Sequence, residues 1–581
     1  MMQQLDIICG SIFRNLLLLI LLTVLPSSLR AEKTSSCSYQ QAGIKNIYWG
    51  DLHVHSAYSL DAWSFGTNKT PREAYQFARG ASIELADGST AKLDRALDFV
   101  AVTDHAEWFD LLHICSDPDW SDDAYCTDLT TKNNPNSGIE LFRDYVVTTI
   151  TGDKPRQTTL CTGNQQHCRK ASLSQWHRIQ DQANAANDPC NFTTFIGYEW
   201  SATPSGSHTH RNLIFSNDKV TREAIDYIRY EKLGQLFTEL EAQCTIDAGC
   251  EVLSIPHNAN MGDGRGFDVE IEDEQTLRLR QKYEKLVEIH QEKGNSECLP
   301  KFGTRDDDDC IFEIRLTSQS RPKVNFEEAP WEKMRSTYTR SLLLRGLAAY
   351  KSETGENPLQ LGILGSTDNH TATPGFVSES AWAGPVFGLG DFDSTMRRLS
   401  FNPGGLVAVW AEENTRASIF SALQRREVYA TSGPRIRLKF SAALNGAALS
   451  CEAHGTYQSV PMGSEFKHTR QAPKFLINAL YDRVPLAKIE IIKGEYKDGK
   501  LKESVIEVWS NPGRGLSVCE TWQDDQFDAS APAFWYARVK QVPSARWSAL
   551  LCKEQGRCSE YPAAVQTIEE RAWSSPIWYL P

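Results

Sequence analysis

The most constraining feature of this sequence is a rhythm. Between residues 45 and 430, short apolar, β-prone segments alternate with helix-prone ones. The candidate strands are Ile47–Gly50, Leu97–Thr103, Thr194–Glu199, Asn212–Phe215, Val252–Ile255, Lys285–Ile289 and Leu361–Gly365. The candidate helices are Pro71–Arg79, Ser172–Asn187, Glu231–Gln243, Glu274–Tyr283 and Trp331–Lys351, with Thr415–Arg425 closing the region. Such alternation predicts a parallel α/β arrangement, and seven units in one run predict a barrel rather than an open sheet. Two insertions interrupt the pattern, 106–172 and 294–330. The second carries the acidic run Asp306–Asp309, read as a solvated loop because no EF-hand spacing supports a calcium site.

After Ala430 the texture changes to short strands separated by turns, from Pro434–Phe440 to Trp573–Tyr579. This predicts a C-terminal β-sandwich-like appendage over 431–581, within the usual size of a domain. At the other end, Arg14 precedes the apolar run Leu16–Leu25, followed by Ser27, Ser28 and Ala31. A basic flank, a short apolar core and a small residue describe a signal peptide over 1–31. The run is half the length needed to span a bilayer, so no stable membrane span is expected after cleavage. The expected location is the periplasm or the outside of the cell. Cysteine usage agrees. The sequence has 15 Cys, and removing Cys9 leaves an even number, as a disulfide framework requires. Close pairs suggest short bridges, Cys115/Cys126, Cys161/Cys168, Cys244/Cys250, Cys298/Cys310 and Cys552/Cys558, with Cys451/Cys519 a longer one. The formal net charge of -13 disfavours nucleic acid as a partner, because binding it takes cationic surface.

Histidines and acids cluster where the candidate strands end. Asp51-Leu52-His53-Val54-His55 follows the first strand, and Asp61 comes six residues after His55. Two histidines two apart in extended chain project to one side, a bidentate metal grip. Thr103-Asp104-His105 ends the second strand, and Glu199 ends the third. His208-Thr209-His210 precedes the fourth, His257 follows the fifth, and Asp368-Asn369-His370 follows the last. In a parallel barrel the strand C-termini meet at one mouth. Six histidines with three carboxylates are too many for one ion and suit two or three. Such ions would lower the pKa of bound water and neutralise an anionic substrate. Glu288 and His290 are expected behind the ligands, orienting them by hydrogen bonds. Asp104 is the candidate acid for the leaving group, and Arg211 and Arg265 are candidates for holding an anion. Asn68, Asn191 and Asn369 head glycosylation acceptors, the last between two proposed ligands.

The ordered set GDLHVHSAYSLDA, VAVTDHAEW, GYEWSA, HTHRNLIF, SIPHNAN and ILGSTDNH, with REVYATSGP and the closing SPIWY, resembles the PHP (polymerase and histidinol phosphatase) family. More closely, it resembles a secreted branch labelled a domain of unknown function. The resemblance spans about residues 45–581 and implies an α/β fold, a distorted (β/α)7 TIM-like barrel with insertions. It implies up to three divalent ions, usually manganese, zinc or iron. His53, His55, Glu199 and Asp368 would hold the first, and Glu199 would bridge to a second held by His210 and His257. Asp61, His105 and His370 would hold the third. His208 is an alternative to His210, and many relatives carry His at the position of Asp61. The implied activity is hydrolysis of a phosphate mono- or diester, hence a small anionic ester substrate. A sulfate ester would meet the same electrostatics. The rival reading is a secreted, non-catalytic binding protein stabilised by its metals, although structural zinc sites favour closed, cysteine-rich shells.

Overall fold

The structure is a computed structural model. It describes Cys37 and residues 44–581, except 121, 133–137, 302–306, 316–327, 352–353, 444–448, 450, 452–458, 468 and 470. The expected signal segment lies outside the described residues. Nine strands carry the site region: β1 Asn46–Asp51, β2 Phe99–Ala101, β3 Thr193–Trp200, β4 Arg211–Phe215, β5 Val252–Pro256, β6 Leu286–Gln291, β7 Gly362–Gly365, β8 Leu406–Ala411 and β9 Val428–Thr431. Each of the seven strands read from sequence is present, within a few residues. The helices also form, but the single helix expected over Trp331–Lys351 is two, Glu328–Arg335 and Thr339–Ala349.

What does not form is the barrel. β1, β2 and β3 pair in parallel. β3–β4 and β4–β5 are antiparallel. β1 is flanked on its other side by antiparallel β8, which pairs with antiparallel β9. β6 and β7 are parallel but form a separate small sheet with Gly294–Asn295. The result is a mixed α/β protein built on a large mixed sheet, with no closed barrel among the described residues. The physical reason is local. His208–His210 sits in a connection too short for a helical crossover, so β4 must return antiparallel to β3.

The C-terminal strands are likewise not a free-standing sandwich. Arg571–Ser574 pairs with β9, and Ala533–Gln541 pairs with both Arg571–Ser574 and Leu486–Lys497. The large sheet thus runs through residue 430. Among the described residues, Arg437–Ala443, Ser459–Pro461, Lys474–Leu480 and Ser517–Gln523 make a separate four-stranded sheet, and Ser544–Ala545 pairs apart with Thr567–Ile568. Ala42–Pro581 is one compact unit. All six expected disulfides form, with Cα–Cα distances of 4.8–5.9 Å. No helix among the described residues is long and apolar enough to cross a membrane.

Local sequence explains the walls. Every residue of β3 is buried, as expected of a strand covered on both faces. Gln165–Ala186 lies over it, burying Trp176, Ile179 and Ala183 at helical spacing. Trp176 packs edge-on against Tyr198 at 5.2 Å. Pro71–Ala78 starts with Pro at its first position and a Thr70/Glu73 capping box. Asp307 and Asp309 correct the solvated-loop reading of their acidic run. Asp307 meets Arg340 at 2.9 Å, and Asp309 meets Arg538 and Arg571, each at 3.1 Å.

Candidate metal centre

The His53-Val54-His55 segment leaves β1 clamped between two neighbours. Thr103 N donates to Val54 O, and His55 N donates to Asn369 O, both at 2.8 Å. Asp368 N donates to His53 O at 2.8 Å. Asp51 accepts from Thr367 N at 3.1 Å and Gly375 N at 2.8 Å, tying the end of β1 to the segment after β7. Asp368 itself has φ 54, a left-handed conformation that costs a non-glycine residue energy and recurs at functional sites. The end of β3 joins the same centre through a bridge between His105 and Glu199.

Nine residues converge there: His53, His55, Asp61, His105, Glu199, His210, His257, Asp368 and His370. None is more than 6% exposed. Asp61, in the first turn of the short helix Leu60–Ser64, points one oxygen at two imidazoles. Its Oδ2 lies 3.1 Å from His105 Nε2 and 2.9 Å from His370 Nε2. His55 Nε2 lies 3.1 Å from Asp368 Oδ1 and 3.3 Å from His53 Nε2. Glu199 divides its carboxylate. Oε2 faces His53 Nε2 at 3.1 Å and His55 Nε2 at 3.2 Å, while Oε1 faces His257 Nε2 at 3.2 Å and His210 Nδ1 at 2.6 Å.

These spacings fit cations. Two ligand atoms at right angles on an ion with bonds of about 2.1 Å are about 3.0 Å apart. Three sets have all their donor atoms within 4.8 Å of one another: His55/Asp61/His105/His370, His53/His55/Asp368 and His53/Glu199/His257. The second ring nitrogens support the same assignment. His53 Nδ1 meets Glu288 Oε2 at 3.1 Å, and His55 Nδ1 meets Ser59 Oγ at 2.8 Å. His105 Nδ1 meets Ser201 Oγ, and His370 Nδ1 meets Asp368 O at 2.7 Å. Partners at Nδ1 leave Nε2 as the lone pair aimed inward, the tautomer a metal ligand needs. His210 is turned the other way, with Nε2 on Thr203 Oγ1 at 2.8 Å.

The electrostatics are those of buried carboxylates stabilised by the imidazoles around them. Burial alone would raise Asp61, yet His105 and His370 outweigh it and hold its carboxyl well below the usual range. Burial opposed by His105, His257 and His210 gives Glu199 the same direction. The imidazoles divide: against burial, Asp368 and Glu288 hold His53 well above its usual range, Glu199 and Asp61 raise His105 to about 9, and Asp61 raises His370 to about 10. Burial, then His370 and His105, push His55 down to about 4. Burial and His53 push His257 down to about 3. The rings crowd one another, with centroids of His53 and His257 at 4.1 Å and of His55 and His370 at 4.3 Å.

Other expected residues lie elsewhere. Asp104 faces away from the centre, accepting from Ser56 N at 2.6 Å, Ser56 Oγ at 2.7 Å and Ser59 Oγ at 3.0 Å. It supports His55 through Ser59. Arg211 is buried against Glu284 at 3.0 Å and donates to Thr209 O and Gly266 O, so it presents no fork to an anion. Arg265 is exposed and donates to Pro204 O at 3.2 Å. Glu288 is behind His53 as expected, but His290 packs between Phe312 and Trp573 and orients no ligand. Sequence reading missed Lys293, which pairs with Asp368 Oδ2, and Glu292, 3.3 Å from His370 Nδ1. It also missed Ser59 and Ser201. Only the position of Glu292-Lys293, directly after β6, could have flagged that pair.

Fold and site together define a mixed α/β protein with a buried histidine–carboxylate centre of metal-binding type. The chain belongs to the family described as protein of unknown function DUF3604, whose model matches residues 42–517 and 510–581. No curated protein matches it. Among solved structures, it is similar to a two-domain protein from Bacteroides vulgatus containing a predicted PHP-like metal-dependent phosphoesterase. That likeness has 12% identity and a TM-score of 0.30, covering 86% of this chain and 93% of the other.

Proposed function

We propose that this chain is a secreted or periplasmic metal-dependent hydrolase of phosphate mono- or diesters, holding two or three divalent cations. The observation that carries the reading is the split carboxylate of Glu199, one oxygen in each of two histidine sets. Divalent cations bound there would neutralise phosphoryl charge and make water nucleophilic near neutral pH. His53, His55 and Asp368 would hold one, and His257, His210 and Glu199 a second. Asp61, His105 and His370 would hold a third. Glu288, Ser59 and Ser201 keep the imidazoles oriented, and the burial of all nine ligands excludes bulk water. The six disulfides expected from the sequence support an oxidising compartment.

The test is to express the mature protein with its disulfides and screen phosphomonoesters, phosphodiesters and sulfate esters. Wild type should turn over a phosphate ester, and His53→Ala and Asp368→Ala should each lose about a hundredfold or more. A wild type that binds its ions and turns over nothing in the panel would favour the non-catalytic binding protein.

A further inference from the structure

Lys293 is a cation inside a centre otherwise built of imidazoles and carboxylates. Its side chain is 14% exposed, and its Nζ pairs with Asp368 Oδ2. The turn that carries it is fixed from several directions. Glu292 N donates to Thr367 O at 2.9 Å, and Asn402 N donates to Glu292 O at 3.1 Å. Gln291, whose Nε2 donates to Asn258 Oδ1, accepts from Lys293 N through its own Oε1. Asn258 directly follows the ligand His257 and has φ 57. A lysine is seldom held this rigidly at a near-buried position without a role for its charge.

A second cation is built onto the first. Asn260 Nδ2 donates to Lys293 O and to Arg315 O, both at 3.0 Å. Gly294 has φ 105, and a Cβ there would meet the Arg315 Cβ at 2.8 Å, so glycine is what lets the two segments approach. The Arg315 guanidinium lies over the Phe401 ring at 3.6 Å, which fixes its plane. His208 Nδ1 is buried without a hydrogen-bond partner, and the ring stacks on His210 at 4.8 Å. Lys293, held against Asp368, and Arg315 are thus brought together at the edge of the centre by Asn260.

Resting on the hydrolase reading, we propose that Lys293, with Arg315 beside it, is the anion-binding wall of the site and selects phosphate monoesters over diesters. Were Asp368 to hold a cation, Lys293 would share its partner and have charge left for an anion. A monoester phosphoryl group carries about −1.5 to −2 charge at pH 7, more than the single charge of a diester. A desolvated lysine gains most from the more highly charged group.

The test measures inorganic phosphate binding to manganese-loaded protein by calorimetry, alongside the ratio of monoester to diester hydrolysis. Lys293→Met should weaken phosphate binding about tenfold or more and collapse the monoester preference, with metal content unchanged. Lys293→Arg should stay within about threefold of wild type, and Arg315→Met should weaken phosphate binding less than Lys293→Met. Wild-type phosphate affinity in folded, metal-loaded Lys293→Met would overturn the proposal while leaving the hydrolase reading intact. Metal loss in Lys293→Met would also overturn it, making Lys293 a positioning residue for Asp368. A metal-loaded wild type that binds no phosphate would sink the hydrolase reading itself.

Discussion

Two regions of this molecule bury charge, and they do so in opposite ways. Around Glu297, opposite charges close on one another. Its Oε1 accepts from Arg340 at 2.8 Å, Tyr536 at 2.7 Å and Arg538 at 3.0 Å, and its Oε2 from Trp573 Nε1 at 2.8 Å. Arg538 continues to Glu490 at 2.9 Å and Asp309 at 3.1 Å. Around Glu199, carboxylates face imidazoles, and imidazole nitrogens face each other at 3.3 Å. The first region is electrically complete and joins the 294–315 segment to the C-terminal strands. The second brings carboxylates and imidazoles together around shared points, the arrangement of groups that could hold a metal ion. Buried charge that closes on opposite charge signals architecture, and buried donor atoms that converge in metal-ligating sets signal a binding site.

The comparison can be broken first through stability. Glu297→Ala removes the carboxylate that two buried guanidinium groups share and should cost about 3–5 kcal/mol in chemical denaturation. His55→Gln removes a ring crowded by two others and should change metal-free stability by about 1 kcal/mol. Equal losses in the two variants would erase the distinction. The next effect is on metal. Glu288→Gln weakens the partner of His53 Nδ1 and should lower metal affinity about 10–100-fold, read by competition with a chelator. No change would remove Glu288 from the supporting layer. The smallest effect is in pH. Burial would raise Glu297, but Arg538, Arg340 and Arg571 outweigh it and hold its carboxyl far below the unfolded value. A depressed acid stabilises above its unfolded pKa of about 4.3 and loses that contribution as pH falls below it. Metal-free wild type should therefore lose up to about 1.4 kcal/mol per pH unit below that point through Glu297, and Glu297→Gln should lack this component. Identical acid profiles would contradict the assignment.

The site was far more legible than the fold around it. His53, His55, His105, Glu199, His257, Asp368 and His370 stand out because rare residue types recur where apolar segments stop, a pattern independent of how strands pair. Strand direction has no such signature. The apolar run of β4 reads the same whether it crosses over or turns back, so the antiparallel β3–β4–β5 arrangement was invisible and a barrel was expected. The C-terminal strands were found, but not their ladder onto β9, because pairing between residues 429–431 and 572–574 depends on long-range packing. Lys293, Ser59 and Ser201 went unread for another reason. Lysine and serine in turns are common, and only the fold shows which of them meet the histidine–carboxylate cluster. Arg211 failed in the opposite direction. It is a candidate for holding an anion by sequence, and Glu284 neutralises it instead.

The central claim is that this cluster holds more than one cation through the shared carboxylate of Glu199. Elemental analysis of manganese-loaded protein tests it most directly, comparing wild type with Asp61→Ala and Glu199→Gln. The account expects two or three ions per chain in wild type, about one fewer in Asp61→Ala, and a loss of more than one in Glu199→Gln. A wild type with no bound metal, or a Glu199→Gln variant that keeps its full complement, would contradict it.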